Sequence, residues 1–348
     1  MDEVEKARLR LALVSAAFAL FVFCVIFGIC KIYQRFNSAP APVENNVQTS
    51  IAEPQLKSRS VKKSIPVKNI ETIEKTAEKT VENSVFFDRS KTFYGILPAW
   101  KKYRLPRCGI LADVTNKRIL WSYRADKVVP IASMSKMLTL YLAFDMMQKS
   151  GNAITLKNNV KLVKNSAMGR EGSFGFKAGD ICMLEDLMKA STIRSSNDAA
   201  AAIAAYFGGT EKNFVAQLNS EALKIGMKNT RFINSHGLPE KNKDNLSTMN
   251  DMLLLSVRML DIPDYMRFAK MNGAKIGGRT IVNTNNLMRR RKYPGVDGLK
   301  TGYTRRAGFC LAFSCIRNGR RLVGVTAGFP SAADRENFIT ALLNWAYR

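Results

Sequence analysis

The chain has 348 residues, long enough for one large domain or two ordinary ones, and 46% of them are hydrophobic. It carries 54 Lys and Arg against 28 Asp and Glu, a formal net charge of +26, and residues 92–348 hold 40 of the basic and 18 of the acidic residues. A single histidine, His236, and six cysteines without metal-ligand spacing exclude a multi-histidine metal site. No metal or other cofactor is expected. A field of this sign draws a protein to polyanions such as nucleic acid, anionic lipid or cell-wall polymer; the alternative is a Lys-rich composition that only keeps the protein soluble.

Residues 11–30 form an uncharged run of 20 residues, the length a helix needs to cross a bilayer. Lys6, Arg8 and Arg10 precede it, and Lys31 and Arg35 follow, a slight bias that keeps the N-terminus inside. The run is longer than the apolar core of a cleaved signal peptide. Residues 1–36 therefore read as a cytoplasmic stub and transmembrane signal anchor, with cleavage near the small residues 38–41 as the alternative. Either way the remainder is exported, which argues against a nucleic-acid partner. Residues 37–86 are polar and interrupted by Pro40, Pro42, Pro54 and Pro66, the composition of a flexible linker.

A folded domain is expected over residues 87–348. Two apolar runs, Cys108–Asp113 and Arg118–Tyr123, flank Thr115-Asn116-Lys117 and predict a hairpin. Residues 133–149 predict a buried helix opening at Ser133, and the pattern stays mostly helical from about 150 to 270. Apolar segments at 184–193 and 198–207 and a helix at 249–259 fall within it. Strands return at 298–303, 308–316 and 321–327, with a turn at Arg317-Asn318-Gly319, and a helix over 332–347 closes the chain. Cys310 and Cys315 are five apart in one strand, so they point to opposite faces and cannot pair. Strands from both ends must share one sheet, with the middle of the chain as a helical lobe and a cleft between.

Three short motifs stand in order: Ser133-Met134-Ser135-Lys136, Ser195-Ser196-Asn197 and Lys300-Thr301-Gly302. Each alone has a bland reading as a helix cap or strand end; their order and the elements they fall on point to one acyl-transfer site. Ser133 is the expected nucleophile, and Lys136, three residues on along a helix, faces it as the base. Burial and the charge of Lys300 would depress the Lys136 pKa enough for that role. Ser195 would relay the proton, Asn197 would hold a substrate amide, and Lys300 and Thr301 would bind a terminal carboxylate. Gly302 would let a substrate backbone lie close, and the N–H groups of Ser133 and Tyr303 would form an oxyanion hole.

With their flanks, these motifs resemble the serine D-alanyl-D-alanine carboxypeptidases, the low-molecular-mass penicillin-binding proteins. The flanks are Pro130-Ile131-Ala132 before the first motif, Asp198-Ala199-Ala200 after the second, Asp297-Gly298-Leu299 before the third and Tyr303-Thr304 after it. Phe232-Ile233-Asn234-Ser235-His236-Gly237-Leu238 and Asn283-Thr284-Asn285 add to the likeness, which covers roughly residues 90–348. It implies an α+β, β-lactamase/transpeptidase-like fold: an antiparallel sheet flanked by helices, plus a helical lobe. It also implies removal of the terminal D-Ala of peptidoglycan stem peptides through a Ser133 acyl-enzyme, and acylation by β-lactam antibiotics. The family usually has Gly where Ser196 stands and often His where Tyr303 stands. His236 matches a recurring loop histidine of structural rather than catalytic role.

Three other readings share these residues. A β-lactamase would need a water-activating glutamate; Glu211, Glu221 and Glu240 lie between the second and third motifs, none in a Glu-x-x-Asn setting. A D,D-endopeptidase would use the same site. A non-catalytic wall-binding protein would rely on charge, with the run Arg289-Arg290-Arg291-Lys292 edging the cleft as its anion contact or as a solvated loop.

Overall fold

The computed structural model describes residues 87–290 and 292–348. The apolar run at 11–30, the linker at 37–86, Cys24, Cys30 and Arg291 lie outside the described residues. Among the described residues no helix is long and apolar enough to cross a membrane.

Strands β1 (Phe93–Tyr94), β2 (Cys108–Asp113) and β3 (Arg118–Tyr123) open the fold. Strands β10 (Val296–Thr304), β11 (Gly308–Arg317) and β12 (Arg320–Phe329) return near its end. They form one six-stranded sheet in the order β1-β3-β2-β12-β11-β10, so the chain's two ends do meet in it. Every pairing is antiparallel except β1 with β3, which is parallel. The expected all-antiparallel sheet is therefore mixed by one short edge strand; two residues carry too little alternation to announce a direction. The turns read from sequence are present. Asp113 accepts bonds from the Asn116 N–H at 3.0 Å and side chain at 2.8 Å, closing the β2–β3 turn. Asn318 and Gly319 both take positive φ between β11 and β12, as a two-residue hairpin of this hand requires.

The sheet's two faces sort by the period of two. Ile110, Ala112, Cys310, Ala312, Val323 and Val325 join the core shared with the helical lobe. Leu111, Trp121, Leu311, Phe313, Cys315 and Leu322 join a second core beneath the closing helix, α8 (Ala332–Ala346), whose Phe338, Ile339, Leu342 and Leu343 fill it. Cys310 and Cys315 thus lie on opposite faces, and both are free thiols.

Between β3 and β10 the chain builds the helical lobe. Its helices are α1 (Lys136–Lys149), α2 (Leu184–Lys189), α3 (Asn197–Gly208), α4 (Glu211–Lys224), α5 (Met249–Leu260), α6 (Pro263–Ala269) and α7 (Asn286–Arg289). Three ribbons pin the loops: β4 (Val129–Pro130) with β7 (Leu246–Ser247), β5 (Asn159–Lys161) with β6 (Ile181–Met183), and β8 (Gly273–Ile276) with β9 (Arg279–Val282). Several helices start at side-chain caps: Ser196 accepts from Ala199 N, Thr210 from Asn213 N, Thr248 from Asp251 N and Ser331 from Asp334 N. Each satisfies a backbone N–H that has no partner within its helix. Residues Ala199–Ala204 of α3 are buried on every side, so this helix is the lobe's axis.

The helix expected to open at Ser133 opens differently. A 3₁₀ turn, Ala132–Ser135, precedes α1, which begins at Lys136. Ala132 sits at φ 47, and the Ser135 hydroxyl donates to its carbonyl at 2.6 Å. Ser133 thus lies on a tight turn ahead of the helix instead of at its first residue.

Candidate active site

The three motifs come together in a single cleft between the sheet lobe and the helical lobe. Ser133, Ser195, Asn197, Thr301, Gly302 and Tyr303 all line it. Lys136 and Lys300 lie beneath, fully buried. Each motif reaches the cleft by a different local device: the 3₁₀ turn for Ser133, a chain reversal for Ser195 and an edge strand for Lys300.

Lys136 Nζ donates to Ser133 Oγ at 2.9 Å, to Asn197 Oδ1 at 2.6 Å and to the His236 carbonyl at 2.5 Å. Burial, and then the charge of Lys300, holds its pKa well below the usual lysine range; Asp198 works the other way. A partly neutral amine beside a serine hydroxyl can take its proton. Ser195 lies between the π-helical turn Ala190–Arg194 and α3, at φ 66. That left-handed step reverses the chain, so Ser195 faces the cleft while Ser196 turns inward to cap α3.

Asn197 lines the cleft and also bonds within the chain. Its Oδ1 is taken by Lys136, and its Nδ2 donates to the Glu171 carbonyl at 2.7 Å. Its geometry orients Lys136, and the second N–H of its Nδ2 has no partner in the protein while the residue lines the cleft. Glu171 belongs to a strap, residues 165–176, of which Glu171 and Gly172 line the cleft. Asp198 ties the strap down by accepting from Ser173 Oγ at 2.5 Å and from the amides of Phe174, Gly175 and Phe176 at 2.9–3.0 Å. Ser196, in place of the family's glycine, also donates to Asp198. Burial works to raise the Asp198 pKa, but these bonds outweigh it and leave the carboxyl below its ordinary range.

Strand β10 is the sheet's edge, and its open side faces the turn that carries Ser133. A Cβ on Gly302 would stand 2.9 Å from the Ile131 carbonyl and 3.2 Å from Met134 N. The glycine is therefore demanded by the chain's own close approach, whatever a substrate also requires. Thr301 Oγ1 meets Thr284 Oγ1 at 2.6 Å, and Asn285 Nδ2 donates to the Gly298 carbonyl at 3.0 Å, so the Asn283-Thr284-Asn285 loop braces the strand. Tyr303 is half exposed and packs on Phe309 with ring centroids 4.2 Å apart.

Lys300 is held down to about 7 by burial and then by the neighbouring Arg335. Arg335 is a residue the motifs do not contain. It comes from α8, is 3% exposed, lines the cleft, donates to the Cys310 carbonyl at 3.1 Å and keeps Nε without a hydrogen-bond partner. Its Nη2 also lies 3.6 Å from the carboxylate of buried Glu336, so its charge is shared between that neighbour and the cleft. Its distance of 35 residues from Lys300 hides it from motif reading.

His236 acts through its backbone carbonyl on Lys136. Its ring is buried and held down to about 3 by burial, then by Lys136 and Arg170. Leu238 N donates to Nδ1 at 3.1 Å, which marks the ring as neutral with its proton on Nε2. The described members of the basic run do not border the cleft: Arg289 bonds Asn286, Lys292 pairs with buried Glu336 at 2.5 Å, and Arg290 is exposed.

A family model described as Peptidase S11, D-alanyl-D-alanine carboxypeptidase, matches residues 107–331. D-alanyl-D-alanine carboxypeptidase DacC of Escherichia coli K12 is 30% identical over 247 residues, covering 70% of this chain and 61% of that protein. DacF of Bacillus subtilis 168, another D-alanyl-D-alanine carboxypeptidase, is 28% identical over 246 residues, covering 69% and 62%. The chain thus spans about three-fifths of the length of these relatives. Penicillin-binding protein 6B from Escherichia coli superposes with a TM-score of 0.66 at 29% identity, covering 75% of this chain and 82% of that one. Penicillin-binding protein D2 from Listeria monocytogenes, in its ampicillin-bound form, gives 0.62 at 28%, covering 70% and 98%. The fold, the convergence of the three motifs and a family match over most of the described residues agree: this chain belongs to the D-alanyl-D-alanine carboxypeptidase family, peptidase S11.

Proposed function

We propose that this protein is a serine D-alanyl-D-alanine carboxypeptidase that trims the terminal D-Ala from peptidoglycan stem peptides and is acylated by β-lactams at Ser133. The observation that carries this reading is the 2.9 Å bond between Ser133 Oγ and the depressed Lys136 amine, set in the cleft.

Neutral Lys136 takes the Ser133 proton as Oγ attacks the carbonyl of the penultimate D-Ala. The N–H groups of Ser133 and Tyr303 receive the oxyanion, an arrangement worth about 3 kcal/mol of barrier per donor. Ser195 passes the proton to the leaving amine, D-Ala departs, and water hydrolyses the acyl-enzyme. Lys300, Thr301 and Arg335 bind the substrate's terminal carboxylate, which also returns Lys300 to its charged form. Gly302 keeps the strand edge close to the serine, and Asn197 keeps Lys136 aimed at it. Glu211, Glu221 and Glu240 do not line the cleft, whereas Glu171 does, on a strap that precedes the second motif; the lifetime of the penicillin adduct is therefore what separates the carboxypeptidase from a β-lactamase.

The chain's place is proposed to be the bacterial cytoplasmic membrane, with residues 11–30 as a single span, residues 37–86 as a tether and the catalytic domain outside the cytoplasm. Its basic surface faces the anionic polymers and lipids found there.

The test is fluorescent penicillin labelling of the full chain in detergent beside Ser133→Ala, followed by mass spectrometry and a D-Ala release assay. A persistent adduct on Ser133, absent from the variant, with D-Ala released from a pentapeptide, is expected. Drug hydrolysis within seconds would make it a β-lactamase; cleavage of crosslinked dimers alone would make it an endopeptidase. Folded protein with no adduct would leave wall binding by charge.

A further inference from the structure

Glu211 lies outside the cleft. It is the first residue of α4, it opens onto a small separate hollow with Ser166, Asn234 and Glu240, and no motif contains it. Its carboxylate nonetheless touches both loops that aim the catalytic amine. Oε1 accepts from the Ser235 N–H at 3.2 Å and from the Ser235 hydroxyl at 2.7 Å. Oε2 accepts from the Ser166 hydroxyl at 2.8 Å.

Each of those partners leads on to Lys136 through His236 or Asn197. Ser235 directly precedes His236, whose carbonyl holds Lys136 Nζ at 2.5 Å, and the Ser235 carbonyl is bonded by Thr139 Oγ1 at 2.6 Å, one turn further along α1. Ser166 Oγ stands 3.1 Å from His236 Nε2. Because Nδ1 accepts from Leu238, the ring's proton is on Nε2, so the order is His236 Nε2–H to Ser166 Oγ, then Ser166 O–H to Glu211. The imidazole is thereby clamped from both ends, and its backbone carbonyl with it. Ser166 also opens the strap whose Glu171 carbonyl holds Asn197 Nδ2, and Asn197 is the second acceptor of Lys136.

We infer that Glu211 is a positioning residue for acyl transfer: one carboxylate locks together the His236 loop and the strap, and so sets the direction of the Lys136 amine toward Ser133. The inference rests on the carboxypeptidase reading. It predicts an effect on the chemical step that is separate from stability. Three accepted bonds end on this carboxylate, and a displacement of the His236 carbonyl by a fraction of an ångström turns the Lys136 lone pair away from Oγ. Glutamine retains an oxygen for Ser235 and offers an N–H to Ser166 Oγ, so it keeps both loops joined; alanine releases them.

The experiment uses the full chain and measures steady-state D-Ala release and the rate of Ser133 acylation by a fluorescent penicillin, with melting followed in parallel. Glu211→Ala is expected to lower kcat and the acylation rate by about tenfold or more, with KM changed by less than about twofold. Glu211→Gln is expected to recover activity to within about threefold of wild type. Ser166→Ala, a milder change at the strap alone, serves where Glu211→Ala does not fold; it is expected to lower kcat by about threefold or more at an unchanged Tm. Folded Glu211→Ala, or folded Ser166→Ala, with wild-type kcat overturns the inference and leaves the carboxypeptidase reading standing. A loss of activity that follows Tm alone also overturns it. A wild-type chain that never acylates takes both down.

Discussion

Gly237→Ala is a one-methyl perturbation aimed at the nucleophile from behind. Gly237 has φ +89, and a Cβ there would stand 2.1 Å from the Ala132 carbonyl oxygen and 3.0 Å from Ser135 Oγ. A carbon–oxygen contact relaxes at roughly 3.3 Å, so one side must move by about 1.2 Å. Both sides are backbone, and the one facing Gly237 is the 3₁₀ turn that carries Ser133. Left-handed alanine costs about 1–2 kcal/mol and the overpacking about 1–3 kcal/mol, giving a stability loss of roughly 2–5 kcal/mol. A 1 Å displacement at the site costs about 100-fold in rate, or about 2.7 kcal/mol of barrier. The assay is the second-order rate of penicillin acylation per folded molecule, with folded fraction from near-ultraviolet circular dichroism. Gly319→Ala separates strain from clash: it has φ +75 in the β11–β12 turn with nothing within 4 Å of the new methyl, so it should lose stability by about 1–2 kcal/mol and no activity. Wild-type acylation by folded Gly237→Ala would refute the claim that this contact sets the nucleophile's turn.

Other consequences follow from the site's buried charges. Arg335→Gln should shrink the preference for a free C-terminal carboxylate over its amide by about tenfold or more, read as a ratio of kcat/KM values, because a charge-assisted bond is lost. Lys300→Met should be more stable than wild type at pH 6. A lysine held at about 7 when folded and 10.5 when unfolded costs stability in full below 7, and the cost disappears as pH rises toward 10.5, so the variant's advantage must fade across that window. His236, neutral when folded down to about pH 3, has the same sign in a lower window. The unfolded chain takes up a proton below about 6.5 that the folded one refuses, so stability falls by one proton's worth per pH unit between 6.5 and 3. A urea titration of His236→Gln should show that slope reduced, with Glu211, Glu240, Lys136 and Arg170 as the charged neighbours left in place.

The sheet and its turns were legible because their signals are local. Apolar runs bounded by turn residues mark β2, β3, β11 and β12, and Asn318-Gly319 marks a hairpin. What sequence reasoning missed arises from contacts between distant segments. The parallel β1, the 3₁₀ turn in place of a helix start at Ser133, and the strap held by Asp198 each depend on a partner far along the chain. The site divides the same way. Ser133, Lys136, Ser195, Lys300 and Thr301 were found by spacing, and the structure brings them to one cleft. Arg335, Thr284, Glu171 and the His236 carbonyl belong to no spacing rule; two of them act through backbone oxygen, which side-chain identity does not encode. Asn197 and Gly302 lie in the cleft as read, and each also answers to a neighbour in its own chain, Lys136 for Asn197 and the Ser133 turn for Gly302.

The position of β10 has a further consequence. An edge strand exposes a row of unpaired amides and carbonyls that invites another chain to add on, the usual beginning of sheet-to-sheet aggregation. Here that rim is turned inward against the Ser133 turn and roofed by the helical lobe, so only an extended segment thin enough to enter the gap can reach it. The recess thus also keeps this one edge of the sheet from pairing with another copy, and substitutions that prise the lobes apart should be detected as aggregation as well as lost activity.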